Sequence, residues 1–196
     1  ADYYGSYSLT NSFTPALLNN DIENNDSVSL ATEIQLNSST TGHIGYYYSD
    51  YTDNEDYYFF DTKVDGSIQF ILTPADSILD TWITIMEGDG MDIISSYWMK
   101  NTYGQIDTLE YLNLGAGRYI IKINNNNYGS YTLSNTFRAL SSQNDIEPNN
   151  ADTLAQSLQL NSEVTGHIGY YSKQTTDNYD YYKIEILQDG ELQFIL

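Results

Sequence analysis

The chain repeats itself at a long, fixed period, and this repeat limits the folds it can adopt. Residues 21–72 and 145–196 align without a gap at an offset of 124 residues and agree at 29 of 52 positions. The same offset relates "YGSYSLTNSF" at 4–13 to "YGSYTLSNTF" at 128–137. A period of this length is the size of a domain, so the sequence predicts tandem domains of one kind.

The repeat divides the chain into three parts. Residues 1–20 are predicted to be the C-terminal end of a preceding repeat, 21–144 a complete repeat, and 145–196 the N-terminal part of a following repeat. We therefore expect a segment of a longer array. A partial sandwich exposes an apolar face and a sheet edge, which we expect a like chain to cover. Residues 1–20 of another chain could supply one strand, although the counterpart of 73–124 would still be missing.

Short runs rich in Tyr, Ile, Thr and Phe fill the complete copy, and turn residues separate them. The runs are "TTGHIGYYY", "DYYFFDTKV", "GSIQFILTP", "DTWITIME", "IISSYWM", "IDTLEYLNL", "GRYIIKINN" and "YGSYTLSNTF". They predict an all-β fold, an antiparallel and jelly-roll-like β-sandwich. Residues 29–36 fit either a first strand or a short helical turn, and "EGDGMD" at 87–92 is predicted to be a hairpin turn. Most tyrosines are expected to pack in strands, with a carbohydrate- or protein-binding face as the alternative.

The charge of the chain excludes several classes of partner. With 7 basic residues and a formal net charge of −20, it would repel nucleic acid and anionic membranes. No apolar run approaches the roughly 18 residues that span a bilayer, so no membrane insertion is expected. The chain has no cysteine. That absence fits a reducing compartment, and it equally fits bacterial surface proteins in which bound metal replaces disulfides.

Each copy carries two acidic clusters. The members are Asp21, Glu23 and Asn25 with Asp53 and Asp56 in the complete copy, and Asp145, Glu147 and Asn149 with Asp177 and Asp180 in the next. Alternate side chains of an extended segment point the same way. If the clusters meet, each pair of charges 4 Å apart costs about 4 kcal/mol at an effective dielectric of 20. Ca²⁺, which takes 6–8 oxygen ligands, reverses that cost.

The alternative is that these acids are solvated turn residues, since Asp and Asn are common in loops. Retention of both clusters across the repeat, where neighbouring positions differ, favours the calcium interpretation. The pattern is not an EF-hand, which needs all its ligands in one loop.

The motifs together resemble a known family. "DIEPNN", "TGHIGYY", "DNYDYY" and "DGELQFIL", followed in the complete copy by "GAGRYIIKI" and "YGSYTL", are similar to the bacterial pre-peptidase C-terminal domain, a relative of the clostridial collagenase collagen-binding domain. The likeness covers the complete copy and nearly all the rest of the chain.

The resemblance implies a pair of Ca²⁺ ions held beside the sandwich by the opening acidic segment and the D-x-x-D turn. It implies metal ligands at Asp21, Glu23, Asn25, Asp53 and Asp56, and at Asp145, Glu147, Asn149, Asp177 and Asp180. His43 and His167 would contribute through their backbone, because imidazole suits a hard cation poorly. A packed or hydrogen-bonded strand residue is the preferred interpretation of both histidines.

The leading functional prediction is a non-catalytic, calcium-binding repeat of an extracellular or cell-surface bacterial array or filament with a structural or adhesive role. The expected partners are neighbouring repeats or like chains, with a protein or glycan ligand as an open alternative. The acidic opening follows the linker "RALSSQN" at 138–144, so calcium is expected to order the joint between copies.

Two alternatives accompany this prediction. The chain fits an accessory module of a secreted hydrolase, such as a protease, that binds substrate or aids maturation. An enzyme is the third interpretation. Neither H-E-x-x-H nor G-x-S-x-G occurs in the sequence. Glycoside hydrolysis needs one carboxyl in a dry site, whereas these carboxyls lie in polar, Asn-rich turns.

Overall fold

A computed structural model of the chain describes most of its residues. The described ranges are 4–48, 50–75, 80–100, 106–125 and 127–196.

The fold consists of strands and two short 3-10 turns. The complete copy contains the 3-10 turn Val28–Leu30 and strands β1 Thr32–Glu33, β2 Ser39–Ile44, β3 Tyr47–Tyr48, β4 Tyr51–Thr52, β5 Glu55–Thr62, β6 Gly66–Pro74, β7 Asp80–Glu87, β8 Ile93–Lys100, β9 Asp107–Thr108, β10 Leu112–Leu114, β11 Gly117–Asn125 and β12 Gly129–Ala139. The partial copy contains the 3-10 turn Asp152–Leu154 and strands β13 Gln156–Ser157, β14 Tyr171–Ser172, β15 Thr175–Thr176 and β16 Tyr182–Lys183.

Two sheets face each other in the complete copy. One has the strand order β1-β5-β11-β7-β8, and the other β15-β14-β10-β6-β12-β2, with β9 also paired to β6. Residues from both sheets form one buried hydrophobic core. Phe60 and Phe70, one from each sheet, meet with ring centroids 5.6 Å apart. The predicted β-sandwich is therefore confirmed.

Strict alternation along the strands builds this core. In β5 and β6 every second residue is buried, as a strand with a side-chain period of two requires. The buried positions of β5 place Tyr58 and Phe60 on the core face, with Asp56 on the same face at the strand's beginning. The Asp56 carboxylate thus occupies a position where the alternating pattern predicts a hydrophobic residue.

Most strand pairs are antiparallel, as predicted, and three are parallel: β1 with β5, β14 with β10, and β13 with β16. Residues 29–36 contain both alternatives, because a 3-10 turn ends at Leu30 and strand β1 follows. The predicted turn at 87–92 is confirmed, since the Glu87 amide donates to the Asp92 carbonyl at 3.0 Å.

Sequence that forms strands in the complete copy does not always do so elsewhere. Residues 128–137 lie mostly in β12, which pairs with β2 and β6, whereas their counterparts 4–13 form no strand. The counterpart of β6, which closes the chain at 190–196, also forms none. Among the described residues, no helix has the length and hydrophobicity needed to cross a membrane.

Candidate metal centre

A short acidic segment, residues 21–26, here called the strap, lies along the beginning of β5. The Asn25 carbonyl accepts a hydrogen bond from the Tyr57 amide at 3.0 Å, which fixes the strap to the strand. Burial alternates along the strap, with Asp21, Glu23 and Asn25 turned inward. The predicted same-side arrangement of these three side chains is therefore present. The Glu23–Asn24 peptide bond is cis.

The β3–β4 hairpin and the first turn of β5 bring the other two acids to the strap. The Asp53 amide donates to the Tyr46 carbonyl at 2.9 Å, and the Gly45 amide donates to the Asp53 carbonyl. These bonds hold Asp53 at the base of the hairpin. Asp56 follows three residues later on the inward face of β5. The two aspartates are 2% and 0% exposed, respectively, so neither is a solvated turn residue.

Among the described residues, three groups of carboxylates each bring their oxygen atoms within 4.8 Å of one another. The groups are Asp21 with Glu23 and Asp56, Glu23 with Asp26 and Asp53, and Asp145 with Glu147 and Asp180. Glu23 belongs to two groups, so the complete copy has two adjacent oxygen clusters that share one carboxylate. The sequence analysis did not predict Asp26. This acid follows "DIENN" directly and could have been noticed, but strict alternation assigns it to the opposite face of the strap.

Neutral donors orient the carboxylates of the complete copy. Asp21 Oδ2 accepts from the Asn25 amide nitrogen at 2.7 Å and from the Tyr58 hydroxyl through a short hydrogen bond. The Tyr131 hydroxyl donates a short hydrogen bond to Asp56 Oδ2, and the hydroxyls of Tyr58 and Tyr131 lie 2.7 Å apart. Each donor occupies one oxygen of its carboxylate and leaves the other facing the cluster.

The oxygens that remain have no hydrogen-bond partner although they are buried. In the complete copy they are Asp21 Oδ1, Glu23 Oε2, Asn25 Oδ1, Asp53 Oδ1 and Asp56 Oδ1. Buried polar atoms are nearly always paired, and each exception needs an explanation. These are the five residues that the sequence predicts as ligands, and a positively charged ligand among them would satisfy all five oxygens.

Burial and mutual repulsion change the acidity of this cluster. Burial, then the neighbouring charges of Glu23 and Asp26, raise the pKa of Asp53 to about 8. Burial, reinforced by Asp21 and Asp53, raises the pKa of Asp56 well above its ordinary range. Burial also raises the pKa of Asp21 and of Glu23. The protein has therefore assembled carboxylates that oppose one another's ionisation, as in a cation site.

A glycine makes room for the cluster. A Cβ on Gly42 in β2 would collide with the Tyr131 hydroxyl and lie 2.9 Å from that of Tyr58. In the partial copy, a Cβ on Gly166 would lie 2.9 Å from Asp180 Oδ2 and 3.0 Å from the Tyr182 hydroxyl. The first glycine of "TGHIG" therefore lets the tyrosine hydroxyls and carboxylates of the cluster approach the backbone closely in both copies.

The partial copy repeats most of this arrangement. The Asn149 carbonyl accepts from the Tyr181 amide at 3.1 Å, and the Asn149 side-chain nitrogen donates to Asp145 Oδ2 at 2.6 Å. Tyr182 takes the place of Tyr58 and donates a short hydrogen bond to the same oxygen. The buried oxygens without a partner are Asp145 Oδ1, Glu147 Oε1, Asn149 Oδ1, Asp177 Oδ2 and Asp180 Oδ1. They belong to the five equivalent residues.

The two clusters differ at one position. Asn150 stands where the complete copy has Asp26. Its amide faces Asp177 Oδ1 and the Tyr179 carbonyl, two acceptors. The amide nitrogen can donate to both when the group is turned by 180°. Burial raises the pKa of Asp177, and burial followed by the charge of Asp145 raises the pKa of Asp180 to about 6.

The two histidine rings make hydrogen bonds to residues outside the carboxylate groups. His43 Nε2 lies 2.6 Å from the Leu18 carbonyl. His167 Nε2 lies 2.9 Å from Ser142 Oγ, and its Nδ1 lies 2.9 Å from Asp65 Oδ2. Neither ring belongs to the three carboxylate groups of the described residues. The preferred interpretation of hydrogen-bonded residues fits these contacts, and a backbone contribution to metal binding stays a prediction.

An all-β sandwich with a repeated, buried oxygen cluster at one end is thus the class of protein that fold and site define. The sequence matches no protein-family model and no curated protein. Among solved structures, the chain is similar to the pre-peptidase C-terminal domain of collagenase from Bacillus anthracis, with 20% identity and a TM-score of 0.44 over 54% of this chain and 94% of that chain. It is also similar to the Yersinia pseudotuberculosis-derived mitogen, with 17% identity and a TM-score of 0.36 over 55% of this chain and 89% of that chain.

Proposed function

We propose that the chain is a non-catalytic, calcium-binding repeat of an extracellular or cell-surface bacterial array with a structural or adhesive role. One observation carries the proposal: in both copies, the same five residues turn buried oxygens without hydrogen-bond partners toward one another. A hard divalent cation with a preference for 6–8 oxygen ligands fits this set of donors. Carboxylate and amide oxygens only, without sulfur or imidazole, are the ligands of such a cation.

The residues of the chain would hold calcium with little rearrangement. Asn25, Tyr58 and Tyr131 already fix one atom of each facing group through hydrogen bonds. In the complete copy, Glu23 would bridge two ions, because it belongs to both carboxylate groups. When bound, calcium supplies positive charge that compensates the buried carboxylates. Since the unfolded chain cannot present this set of oxygens together, binding stabilises the fold.

The position of the clusters supports a role at the joints between copies. The strap begins directly after residues 14–20, and its counterpart at 145–150 follows the linker at 138–144. The side chains of Asn20 and Asn144 accept hydrogen bonds from the amides of His43 and His167, at 2.7 Å and 2.6 Å. The last linker residue is thus bound to the strand beside the cluster. Calcium that orders the strap would also order the linker.

The burial of the carboxylates supports a non-catalytic role. Asp53 and Asp56 are almost completely buried beneath the strap, out of reach of a sugar or a peptide. A raised pKa suits a general acid only where substrate reaches it. The accessory-module alternative rests on the family resemblance alone, and it predicts a catalytic domain in the same parent protein.

Thermal unfolding with and without calcium tests the proposal. A site at about one hundred times its Kd adds about 2.7 kcal/mol, so millimolar calcium should raise the unfolding midpoint by roughly 5–15 °C over excess chelator. Magnesium, which demands a smaller octahedral shell, should give a smaller rise. Equal midpoints in calcium and in chelator would contradict calcium binding.

A further inference from the structure

Two equivalent hairpins of the chain have different surroundings. The front hairpin, β3–β4, spans Tyr47–Thr52, and the rear hairpin, β14–β15, spans Tyr171–Thr176 at the repeat offset. Both have the same register, with the first tyrosine opposite the last threonine. The front hairpin forms a two-stranded sheet by itself, whereas the rear hairpin extends a sheet of the complete copy.

The rear hairpin is bound through its backbone to the edge of β10. Leu114 pairs with Tyr171 in parallel, and the Gly115 amide donates to the Tyr171 carbonyl at 2.8 Å. The Tyr119 hydroxyl donates to the same carbonyl at 3.2 Å. At the hairpin turn, the Gln174 amide donates to Glu87 Oε1 at 2.8 Å. The partial copy thus docks on the complete copy by adding strands to its sheet.

The first tyrosine of the rear hairpin is part of this contact. The Tyr171 side chain packs against the hydrophobic core of the complete copy. Burial, followed by the nearby charges of Glu87, Asp92 and Asp89, raises its pKa. The equivalent tyrosine of the front hairpin, Tyr47, is 74% exposed. One sequence position is therefore a contact residue in one copy and an open aromatic side chain in the other.

A second contact fixes the same joint. His167 Nδ1 lies 2.9 Å from Asp65 Oδ2 across the two copies, and the two side chains are only 6% and 14% exposed. Asp65 Oδ1 accepts from the Ala116 amide at 2.8 Å, which orients its carboxylate. His43 occupies the position of His167 in the complete copy. Its partner in the same contact would be the Asp65 position of a preceding copy.

We propose that the front hairpin is a docking element whose partner is the β10 edge of a preceding copy of this repeat. Tyr47 packs there as Tyr171 packs on the complete copy, and His43 contacts the Asp65 of that copy. The partner must be a copy of the repeat because two residues that make the rear contact, a tyrosine and a histidine, recur at the equivalent positions of the front joint. The inference rests on the tandem arrangement of the proposed function and does not require calcium.

The hairpins differ at four of their six positions, since Tyr48, Ser49, Asp50 and Tyr51 replace Ser172, Lys173, Gln174 and Thr175. Asp50 replaces Gln174, but Gln174 contacts Glu87 through its backbone amide, which Asp50 also has. Both residues have a positive φ, 85° for Asp50 and 70° for Gln174. Because the donor surface and the acceptor surface are different parts of the repeat, the contact is heterologous and extends into an open row of copies.

The experiment restores a preceding copy and asks whether the joint forms. Residues 1–20 match 125–144, so fusing a second copy of 21–124 ahead of Ala1 completes a copy in front of the full chain. The chain has no cysteine, which allows a defined disulfide to report the contact. One cysteine replaces Gly115 of the added copy, and Tyr48→Cys supplies the other.

A control pair calibrates the measurement in the 196-residue chain. A Cβ on Gly115 would lie 2.9 Å from the Cβ of Ser172, so the pair Gly115→Cys and Ser172→Cys reaches disulfide distance, about 3.5–4.5 Å, after a small shift. Tyr171→Asp in this control and Tyr47→Asp in the extended chain remove the packed tyrosine. Mass spectrometry measures the cross-linked fraction in a glutathione redox buffer, and circular dichroism checks that each variant is folded.

The proposal predicts that the extended chain cross-links to within about threefold of the control and that Tyr47→Asp lowers the cross-link by about tenfold. Free thiols at the front joint while the control pair is oxidised would overturn it. A front cross-link that Tyr47→Asp does not reduce would also overturn the assigned contact. Each reaction is run in calcium and in chelator. A joint that forms without any calcium effect supports docking and counts against calcium binding, so the two proposals fail separately.

Discussion

The two oxygen clusters of this chain share five equivalent residues and most of their hydrogen bonds, yet they differ in how far the protein covers them. In the complete copy, Asp56 is fully buried and Tyr131 of β12 donates to it from the opposite sheet. In the partial copy, Asp180 is half-buried, and the partial copy contains no residue equivalent to Tyr131. The strand that carries Tyr131 is therefore not required to arrange the oxygens.

The comparison separates the geometry of the site from its electrostatics. Local segments place the ligands, whereas the second sheet removes them from water. Burial raises the pKa of Asp56 in the covered cluster well above its ordinary range, whereas it raises that of the equivalent Asp180 in the open cluster to about 6. The carboxylates of the covered cluster repel one another more strongly. Calcium should therefore stabilise the covered cluster more than the open one.

The largest expected effect comes from the carboxylate shared by both groups of the complete copy. In chelator, Glu23→Gln should be at least as stable as the parent chain, because it removes one buried like charge. In calcium it should lose most of the stabilisation, about 2.7 kcal/mol per site at one hundred times Kd. Thermal unfolding by circular dichroism measures both.

The matched variant is Glu147→Gln, which removes the equivalent carboxylate of the open cluster. We expect it to leave the calcium-dependent rise of the complete copy within about 1 kcal/mol of the parent. Equal losses in the two variants would mean that coverage by the second sheet does not matter.

The tyrosine that donates to the first strap residue should show the same difference with a smaller magnitude. Tyr58 is fully buried, so Tyr58→Phe leaves polar atoms unpaired and should cost about 1–3 kcal/mol in urea unfolding. Tyr182 makes the equivalent bond in a half-buried position, and Tyr182→Phe should cost less than about 1 kcal/mol. A larger cost for Tyr182→Phe would reverse the comparison.

The pH dependence of stability should follow the raised pKa values. Asp53 has a folded pKa of about 8 against 3.8 for an ordinary Asp, so between these values the folded chain binds more protons than the unfolded chain. Metal-free stability should therefore fall as the pH rises from about 5 to about 8.

Calcium reverses the sign of this dependence. The cation competes with protons for the carboxylates, so the calcium-induced rise in the unfolding midpoint should grow over the same pH range. Unfolding midpoints at several pH values, in calcium and in chelator, measure both trends. A metal-free midpoint that increases toward pH 8 would contradict the pKa shifts.

The smallest expected effect on stability comes from the one charge by which the two clusters differ. Asp26→Asn makes the covered cluster match the open one, which has Asn150, and should remove one ion with little loss of fold stability. The parent chain should bind two ions in the complete copy and one in the partial copy. Asn150→Asp should add one. Native mass spectrometry at increasing calcium counts the ions, and an unchanged count in both variants would exclude Asp26 as a ligand.

Local pattern predicted the strands and the ten residues that bring buried, unpaired oxygens into the two clusters, because both depend on short-range geometry. Alternation in β5 and β6 and the spacing of Asp53 and Asp56 could be read directly from the sequence. Pairing could not. Residues 4–13 have nearly the sequence of β12 but form no strand, because a strand needs β2 and β6 beside it.

Contacts between distant residues were also beyond the sequence. Tyr131 reaches Asp56 from the opposite sheet, and no local pattern relates the two. Asp65 and His167 meet only because the partial copy docks on the complete copy. Asp26 was not predicted because the strap is not a regular strand. A residue that alternation would turn outward therefore still reaches the cluster.

A crystal structure of the chain grown with calcium tests the central claim most directly. We expect density among Asp21, Glu23, Asn25, Asp53 and Asp56, with metal–oxygen distances of about 2.3–2.6 Å. The equivalent residues of the partial copy should hold density of the same kind. Carboxylates that turn apart and bind only water, in crystals containing millimolar calcium, would contradict the account.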